Sequence, residues 1–352
     1  MTRGWHVTLA DDGPRAELIE LDDAALRPAP DAQDAVADVD VRVTWSSLNY
    51  KDALAFAGNT GVVRLSPLVP GIDVVGVVTA SANQRWAVGD RVLLNGAGAG
   101  ETRHGGLAEH AALDGGTLVT TPTEFTDAQA AGIGTAGFTA MLAVLALERH
   151  GVTRGEVLVT GASGGLGSFA IALLARAGYS VTAATGRLEN TARLQQLGAT
   201  NVIDRAELNR STPERPARAL ESQHWAGVID SVGGPTLATA IAQVRQNGAV
   251  VACGNAASPA LDTTVMPFIL RGVSLLGVNS SLTPQALREQ AWQRLARDLE
   301  PVVIDTIAHS IELEQVRDRA ADLLAGRVTG RLAVRVGGRE NSGVASSLPV
   351  TS

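Results

Sequence analysis

Two periods of hydrophobicity divide the chain. Up to about Phe125 the apolar residues come in short runs: Val39–Thr44 alternates, Asp73–Thr79 is valine-rich after Pro70-Gly71, and Asp90–Leu94 is entered through Val88-Gly89-Asp90. Short alternating runs between turn residues predict strands, and the glycines at 96, 98, 100, 105 and 106 cut the region into the loops of a compact, barrel-like β unit. From Thr126, an expected N-cap, the spacing turns helical over Asp127–Ala131 and Thr135–His150. Strands are then predicted at Val157–Thr160, Val181–Thr185, Asn201–Ile203, Gly227–Ile229 and Gly248–Cys253. Helices at Gly167–Ala177, Leu188–Leu197 and Thr236–Val244 alternate with them. Such alternation predicts a parallel, doubly wound α/β sheet with right-handed crossovers. Phe268–Gly277 predicts one more strand, Pro284–Leu299 a helix, and Leu313–Val336 a helix, turn and strand in the style of the first region. The parallel unit is therefore expected to be inserted between two pieces of the β-rich one.

The 352 residues suffice for two domains, and 45% hydrophobic with 18% charged is a globular composition. Aromatics are only 3%, so Ala, Val, Leu and Ile must build the core. The net charge of −7, without a basic run, gives no nucleic-acid footprint. Cys253 is the single cysteine, and the six histidines form no close pair with other metal ligands, so no metal site is expected. Met1–Leu9 lacks a charged segment followed by an apolar one, and no stretch reads as long and glycine-poor enough to span a bilayer. A cytoplasmic protein without membrane partners is the expectation.

The richest motif is Gly161-Ala162-Ser163-Gly164-Gly165-Leu166-Gly167, between the strand Val157–Thr160 and a helix. A strand, glycine turn, helix and second strand seat a dinucleotide diphosphate on a helix N-terminus. Gly161 allows the turn, Gly164 and Gly165 let backbone approach phosphate, and Gly167 packs helix on sheet. The second strand ends in Thr185-Gly186-Arg187, with no acidic residue to accept from a ribose 2′-hydroxyl. Room, a hydroxyl and a guanidinium suit a 2′-phosphate, so the expected cofactor is NADPH; Glu189 is the one feature against it.

Asn49-Tyr50-Lys51-Asp52, Pro70–Gly76, Gly134–Ala140 and the glycine turn resemble the medium-chain dehydrogenase/reductase superfamily on its zinc-free quinone-oxidoreductase side. Ala252-Cys253-Gly254, Thr264–Val273 and Gly277–Ser280 narrow the resemblance to the acryloyl-CoA reductase group. The resemblance implies a Rossmann domain set into a GroES-like catalytic domain, NADPH, no zinc, and a homodimer joined near Phe268–Gly277. The divisions expected are 1–125 (first catalytic part), 126–272 (Rossmann), 273–339 (remaining Rossmann edge and return), and a flexible tail, 340–352.

The chemistry then expected is reduction of a carbon–carbon double bond conjugated to a carbonyl, in an enoyl thioester or enone. Charge building on the carbonyl oxygen needs donors rather than a metal. Tyr50, one of two tyrosines, is the expected donor. Asn49 is expected to donate to the carbonyl or the cofactor, and Asp52 to anchor Lys51 or orient Tyr50; the competing reading has Asn49–Asp52 cap a helix. Asp73 is expected to brace the domain interface. Cofactor contacts are expected from Thr135 and Thr139, Ser163–Leu166, Thr185–Arg187, Cys253 and Gly254, Val278 and Asn279, and from Arg331 closing over a phosphate or lying on the surface. Arg64, Arg103 and Arg288 are possible sources of charge for a CoA tail. A quinone or simple enal reductase and a non-catalytic NADPH-binding protein are the rival readings.

Overall fold

The computed structural model describes residues 1–27, 36–208 and 218–337; the expected tail lies outside them. The chain opens with an antiparallel hairpin of β1 (Thr2–Ala10) and β2 (Gly13–Leu21). There follow β3 (Val39–Leu48), α1 (Tyr50–Phe56), β4 (Asp73–Ser81), β5 (Arg91–Asn95), β6 (His110–Leu113) and β7 (Val119–Thr120). The middle of the chain holds α2 (Asp127–Arg149), β8 (Glu156–Val159), α3 (Gly165–Arg176), β9 (Ser180–Thr185), α4 (Thr191–Gln196) and β10 (Asn201–Asp204). It continues through β11 (Trp225–Asp230), α5 (Gly234–Ala242), β12 (Val244–Ala252), α6 (Met266–Arg271) and β13 (Ser274–Gly277). Then come α7 (Gln285–Asp298), α8 (Pro301–Ile307), β14 (Ala308–Glu312), α9 (Val316–Leu324) and β15 (Arg331–Arg335).

Two large sheets result. One is parallel, in the order β10-β9-β8-β11-β12-β13. Its order reverses beside β8, and ligands of such sheets bind outside the carboxyl ends of the strands at that point. The other runs β14-β15-β3-β4-β5-β7, with β6 also on β3. Because β14 and β15 complete a sheet begun by β3, the parallel sheet is spliced into the chain between them.

One strand expectation is corrected. Within Phe268–Gly277 only Ser274–Gly277 is strand; the residues before it form α6. Pro267 suits the first helical turn, and Gly272, at φ 61° just past the helix, stops it. The helical spacing after Thr126 instead gives one long element, α2, capped by Thr126 accepting from the Gln129 N–H. It breaks at Gly134, whose φ of 46° and ψ of −157° are non-helical. Over an 18-residue window of mean hydropathy 1.8, α2 is long and apolar enough to cross a bilayer, contrary to the expectation; 83% of that window is buried within the fold. Phe138, Met141 and Leu147 join Val75 and Leu93 of the mixed sheet, Val157 and Phe169 of the parallel unit, and Trp292 of α7 in one core. Each such side chain contributes about 1.5–3 kcal/mol by burial, so α2 is a wall common to both sheets.

Candidate active site

The candidate site is built from two helix starts. At the parallel sheet, β8 leads into the glycine turn, which Thr160 anchors by donating from Oγ1 to Asp230 Oδ1 at 2.6 Å. The N-cap of α3 is Gly164, which has no side chain to cap it. The amides of Gly165, Leu166 and Gly167 fall in the first helical turn, where the intrahelical ladder supplies no acceptor. That is a set of anion-directed donors, and a diphosphate fits it. Beside the turn, Ser163 Oγ and Thr185 Oγ1 are 2.7 Å apart, and Asn190 Nδ2 donates to Ser163 Oγ at 3.3 Å.

At the end of β9, Arg187 donates through Nη1 to Gly326 O (3.2 Å), Val328 O (3.1 Å) and Thr329 Oγ1 (3.0 Å). Part of the expected countercharge therefore ties down the segment before β15; among the described residues its other N–H groups have no partner. Two further arginines, missed from sequence, stand close by. The guanidinium of Arg205 lies against Gly186, where a Cβ would meet it. Arg193 donates from Nη1 to Ser168 Oγ at 3.3 Å, while its buried Nη2 finds no partner. Burial, then Arg187, pushes the Arg193 pKa down. Arg205 follows the carboxyl end of β10, next to β9 in the sheet; that register was the available signal.

The start of α1 is closed. Asn49 is its N-cap, and Asp52 returns the bond by accepting from the Asn49 N–H at 2.8 Å. Asp52 Oδ1 also accepts from the amides of Gly71 (3.1 Å) and Ile72 (2.9 Å). Burial and the neighbouring Asp73 push the Asp52 carboxyl up to about 6 against these donors. Asn49 Nδ2 donates to Ser47 Oγ, Asp52 Oδ2 and Asp73 Oδ2 at 3.0, 3.1 and 2.9 Å. Two of these expectations are corrected: the Asn49 amide is spent inside the protein, and Lys51 pairs with Glu101 at 2.8 Å rather than with Asp52, which leaves Asp52 its other expected part, at the helix start that carries Tyr50. Tyr50 differs. It is 45% exposed, and its hydroxyl has no partner among the described residues.

Asp73 is the brace expected of it. Buried at the start of β4, it accepts from Ser47 Oγ, Asn49 Nδ2, Asn95 Nδ2 (2.7 Å), Thr135 Oγ1 (2.6 Å) and the Thr135 amide (2.9 Å). The kink at Gly134 turns that amide toward the carboxylate, and a Cβ on Gly134 would intrude on Asp73, Ser47 and Arg331. Thr135 and Thr139 were expected to face the cofactor. Thr135 donates to Asp73 from both its amide and its hydroxyl, and Thr139 Oγ1 donates to Thr135 O at 2.6 Å.

Arg331 is not on the surface. It is buried, and its pKa is lowered by burial against the pull of Asp73 and Asp52. Nη1 donates to Asn49 Oδ1 (2.8 Å) and Leu48 O (3.3 Å), Nη2 to Ser47 Oγ (2.6 Å) and Asp73 Oδ2 (3.4 Å), and Nε to Gly132 O (3.3 Å). Its stem packs on Gly165, where a Cβ would collide with it. Gly165 is thus demanded by the arginine packed on it.

The remaining candidates follow β12 and β13. Cys253 Sγ donates to Asp230 O at 3.1 Å, with the thiol pKa pushed up by burial, then by Asp230. Gly254 packs against the Ser231 backbone. The Val278 amide donates to Ala252 O at 3.1 Å, and Asn279 Oδ1 accepts from the amides of Ser281 (3.1 Å) and Leu282 (3.4 Å). Arg288 cannot serve a CoA tail: it is buried, donating to carbonyls of Asn95, Thr283, Ser280 and Ser281, and burial pushes its pKa down to about 10. Arg103 holds Val36 O at 3.0 Å, while Arg64 is exposed.

Residues 35–144 match the alcohol dehydrogenase GroES-like domain, and 165–297 match the zinc-binding dehydrogenase family. Among the described residues no three His, Cys, Asp or Glu side chains gather as metal ligands, so the zinc of the second description has no fitting donor set. The chain is 48% identical over 301 residues to the probable acrylyl-CoA reductase AcuI of Escherichia coli K12, covering 85% of this chain and 91% of that one. It is 40% identical over 299 residues to a Bacillus subtilis 168 protein named "Putative quinone oxidoreductase YhfP", covering 84% and 89%. The structure of the yhdH oxidoreductase from Salmonella enterica in complex with NADP is similar at TM-score 0.89 and 44% identity, over 96% of this chain and 100% of that one. With its parallel sheet spliced into a GroES-like unit and its likeness to these relatives, the chain belongs to the medium-chain dehydrogenase/reductase superfamily, in the zinc-free branch of quinone oxidoreductases and acrylyl-CoA reductases.

Proposed function

We propose that the protein uses NADPH to reduce the carbon–carbon double bond of a small α,β-unsaturated acyl-CoA such as acryloyl-CoA. The observation that carries this reading is an uncapped α3 start lying one buried arginine away from the exposed Tyr50. The 48% identity to an acrylyl-CoA reductase supports the choice of thioester. Bound at the turn, NADPH would supply hydride for the β-carbon and leave as NADP+, and a proton from solvent, taken up at the α-carbon, would complete the reduction. The amides of Gly165, Leu166 and Gly167 hold its diphosphate; Ser163, Thr185, Arg187 and Arg205 receive the 2′-phosphorylated ribose. The Tyr50 hydroxyl donates to the substrate carbonyl oxygen as charge develops there, which a buried Asn49 cannot do. Cys253, Gly254, Val278 and Asn279, at the carboxyl ends of β12 and β13, border the reacting ring.

Quinone reduction is the second reading, favoured by the likeness to the B. subtilis protein. Steady-state rates with acryloyl-CoA, crotonyl-CoA and a benzoquinone, each with NADPH and NADH, separate the two. The highest kcat/KM with acryloyl-CoA and NADPH is expected; preference for the quinone overturns the thioester reading.

We further read the chain as a cytoplasmic homodimer with a Rossmann unit over about 126–272. Supporting the dimer are Ile269 and Leu270 of α6, 67% and 57% exposed, and Leu275 on β13, the outer strand of the parallel sheet. Light scattering should report a dimer, and Ile269→Glu should yield monomers; a monomeric wild type refutes the assembly.

A further inference from the structure

Arg331 touches both helix starts, whereas the sequence alone offered it as a phosphate contact or a surface residue. Its place in the chain is set by the nucleotide turn: Gly330 N donates to Ser163 O at 3.0 Å, and Gly330 pairs with Gly164 as an isolated parallel bridge. Its stem fills the space a Cβ of Gly165 would need. Its guanidinium then reaches the end of β3 and the N-cap of α1, Leu48 O and Asn49 Oδ1, the two residues immediately before Tyr50. The five bonds of this guanidinium match its five N–H groups, so none is left for a phosphate. A planar fork holding several acceptors at fixed angles sets geometry in a way a point charge does not.

We propose that Arg331 is a positioning residue, which fixes where Tyr50 stands relative to the nucleotide turn without touching cofactor or substrate. The proposal rests on the reading of Tyr50 and the thioester given above. Loss of the fork lets the α1 start shift against α3, and misplacement by about 1 Å costs on the order of 100-fold in rate.

The test is Arg331→Met, which keeps most of the stem, beside Arg331→Lys. NADPH affinity, read by fluorescence titration, should stay within about threefold of wild type in both. The kcat with acryloyl-CoA should fall about 100-fold in Arg331→Met, with KM little changed, and partly recover in Arg331→Lys. A rise in the NADPH dissociation constant with kcat intact makes Arg331 a cofactor ligand and overturns the proposal, as does an unchanged kcat.

Should Arg331→Met fail to fold, the cycle of Gly165→Ala and Arg331→Ala, read by thermal unfolding, still decides. Gly165→Ala should lower Tm in the wild-type background and cost much less once the stem is gone; equal losses in both backgrounds refute the packing on which the proposal stands. A wild type that binds NADPH yet reduces no enoyl thioester brings down the proposed function, and this inference with it. An active wild type whose variants behave alike brings down the inference alone.

Discussion

The starts of α1 and α3 stand on either side of one arginine and are finished in opposite ways. At α1, Asn49 and Asp52 close a capping box, and Asp52 takes two further amides from the Gly71–Ile72 turn. At α3 the N-cap is a glycine, and among the described residues no side chain caps the first turn. A sealed helix start has its electrostatics settled within the protein and serves as a mount, here for Tyr50. An open one leaves its partial positive charge for a ligand. The residue types that look most chemical, Asn49, Asp52 and Asp73, therefore belong to the mount, and the featureless glycines stand where the helix start is left open.

The comparison breaks most severely at Asp73. Asp73→Ala leaves Arg331 buried without its carboxylate and leaves the Thr135 amide without an acceptor. Removing one partner of a buried pair costs about 3–5 kcal/mol. Denaturant unfolding should show a loss of that size, and a loss below about 1 kcal/mol, the value of an exposed pair, denies Asp73 its place as the hub.

Tyr50 sharpens the contrast from the other side, because its hydroxyl bonds nothing among the described residues. Tyr50→Phe should lower kcat about 100- to 1,000-fold, the usual effect of deleting an oxyanion donor, with no change in Tm. If kcat stays at the wild-type value, the mount carries no catalytic group.

Asp52 makes the sealed start sensitive to pH. The unfolded carboxyl ionises near 3.8, whereas burial holds the folded one protonated to about 6. Below the unfolded value both states carry the proton and the stabilisation is complete. It is lost as pH rises through about 6, because the unfolded chain releases its proton first. The difference in unfolding free energy between wild type and Asp52→Asn should therefore shrink by about 2 kcal/mol between pH 4 and 7. A difference that stays level across that range means that the four N–H donors around Asp52 fully offset its burial.

The open start could be read from the sequence and the sealed one only in part. Glycines 161–167 between a strand and a helix declare a turn wherever they fall, since that signal is local. The alternating strands and helices likewise announce the parallel sheet, and only α6 was taken for strand, because Phe268–Leu270 is as apolar as a buried edge. The network at Asp73 is non-local: its donors come from positions 47, 49, 95, 135 and 331. No spacing rule relates those numbers, so Arg331 appeared as a phosphate ligand and Arg288 as a surface charge. Both are buried arginines satisfied by acceptors that the chain brings from far away.

The smallest effects are expected at the rim of the open start, where the comparison turns on which guanidinium meets the 2′-phosphate. Arg205 is exposed and has no partner among the described residues, so Arg205→Ala should leave Tm unchanged. It should lower the preference for NADPH over NADH about 10-fold, the worth of one charge-assisted hydrogen bond. Arg187→Ala should lower that preference by a similar factor, but it also frees Gly326, Val328 and Thr329, so Tm should fall too. Kinetic selectivity and melting temperature, measured together, tell the two arginines apart. Selectivity lost only in Arg187→Ala would make Arg205 a bystander, and a wild type that uses both nucleotides equally would remove the 2′-phosphate from this end of the cleft.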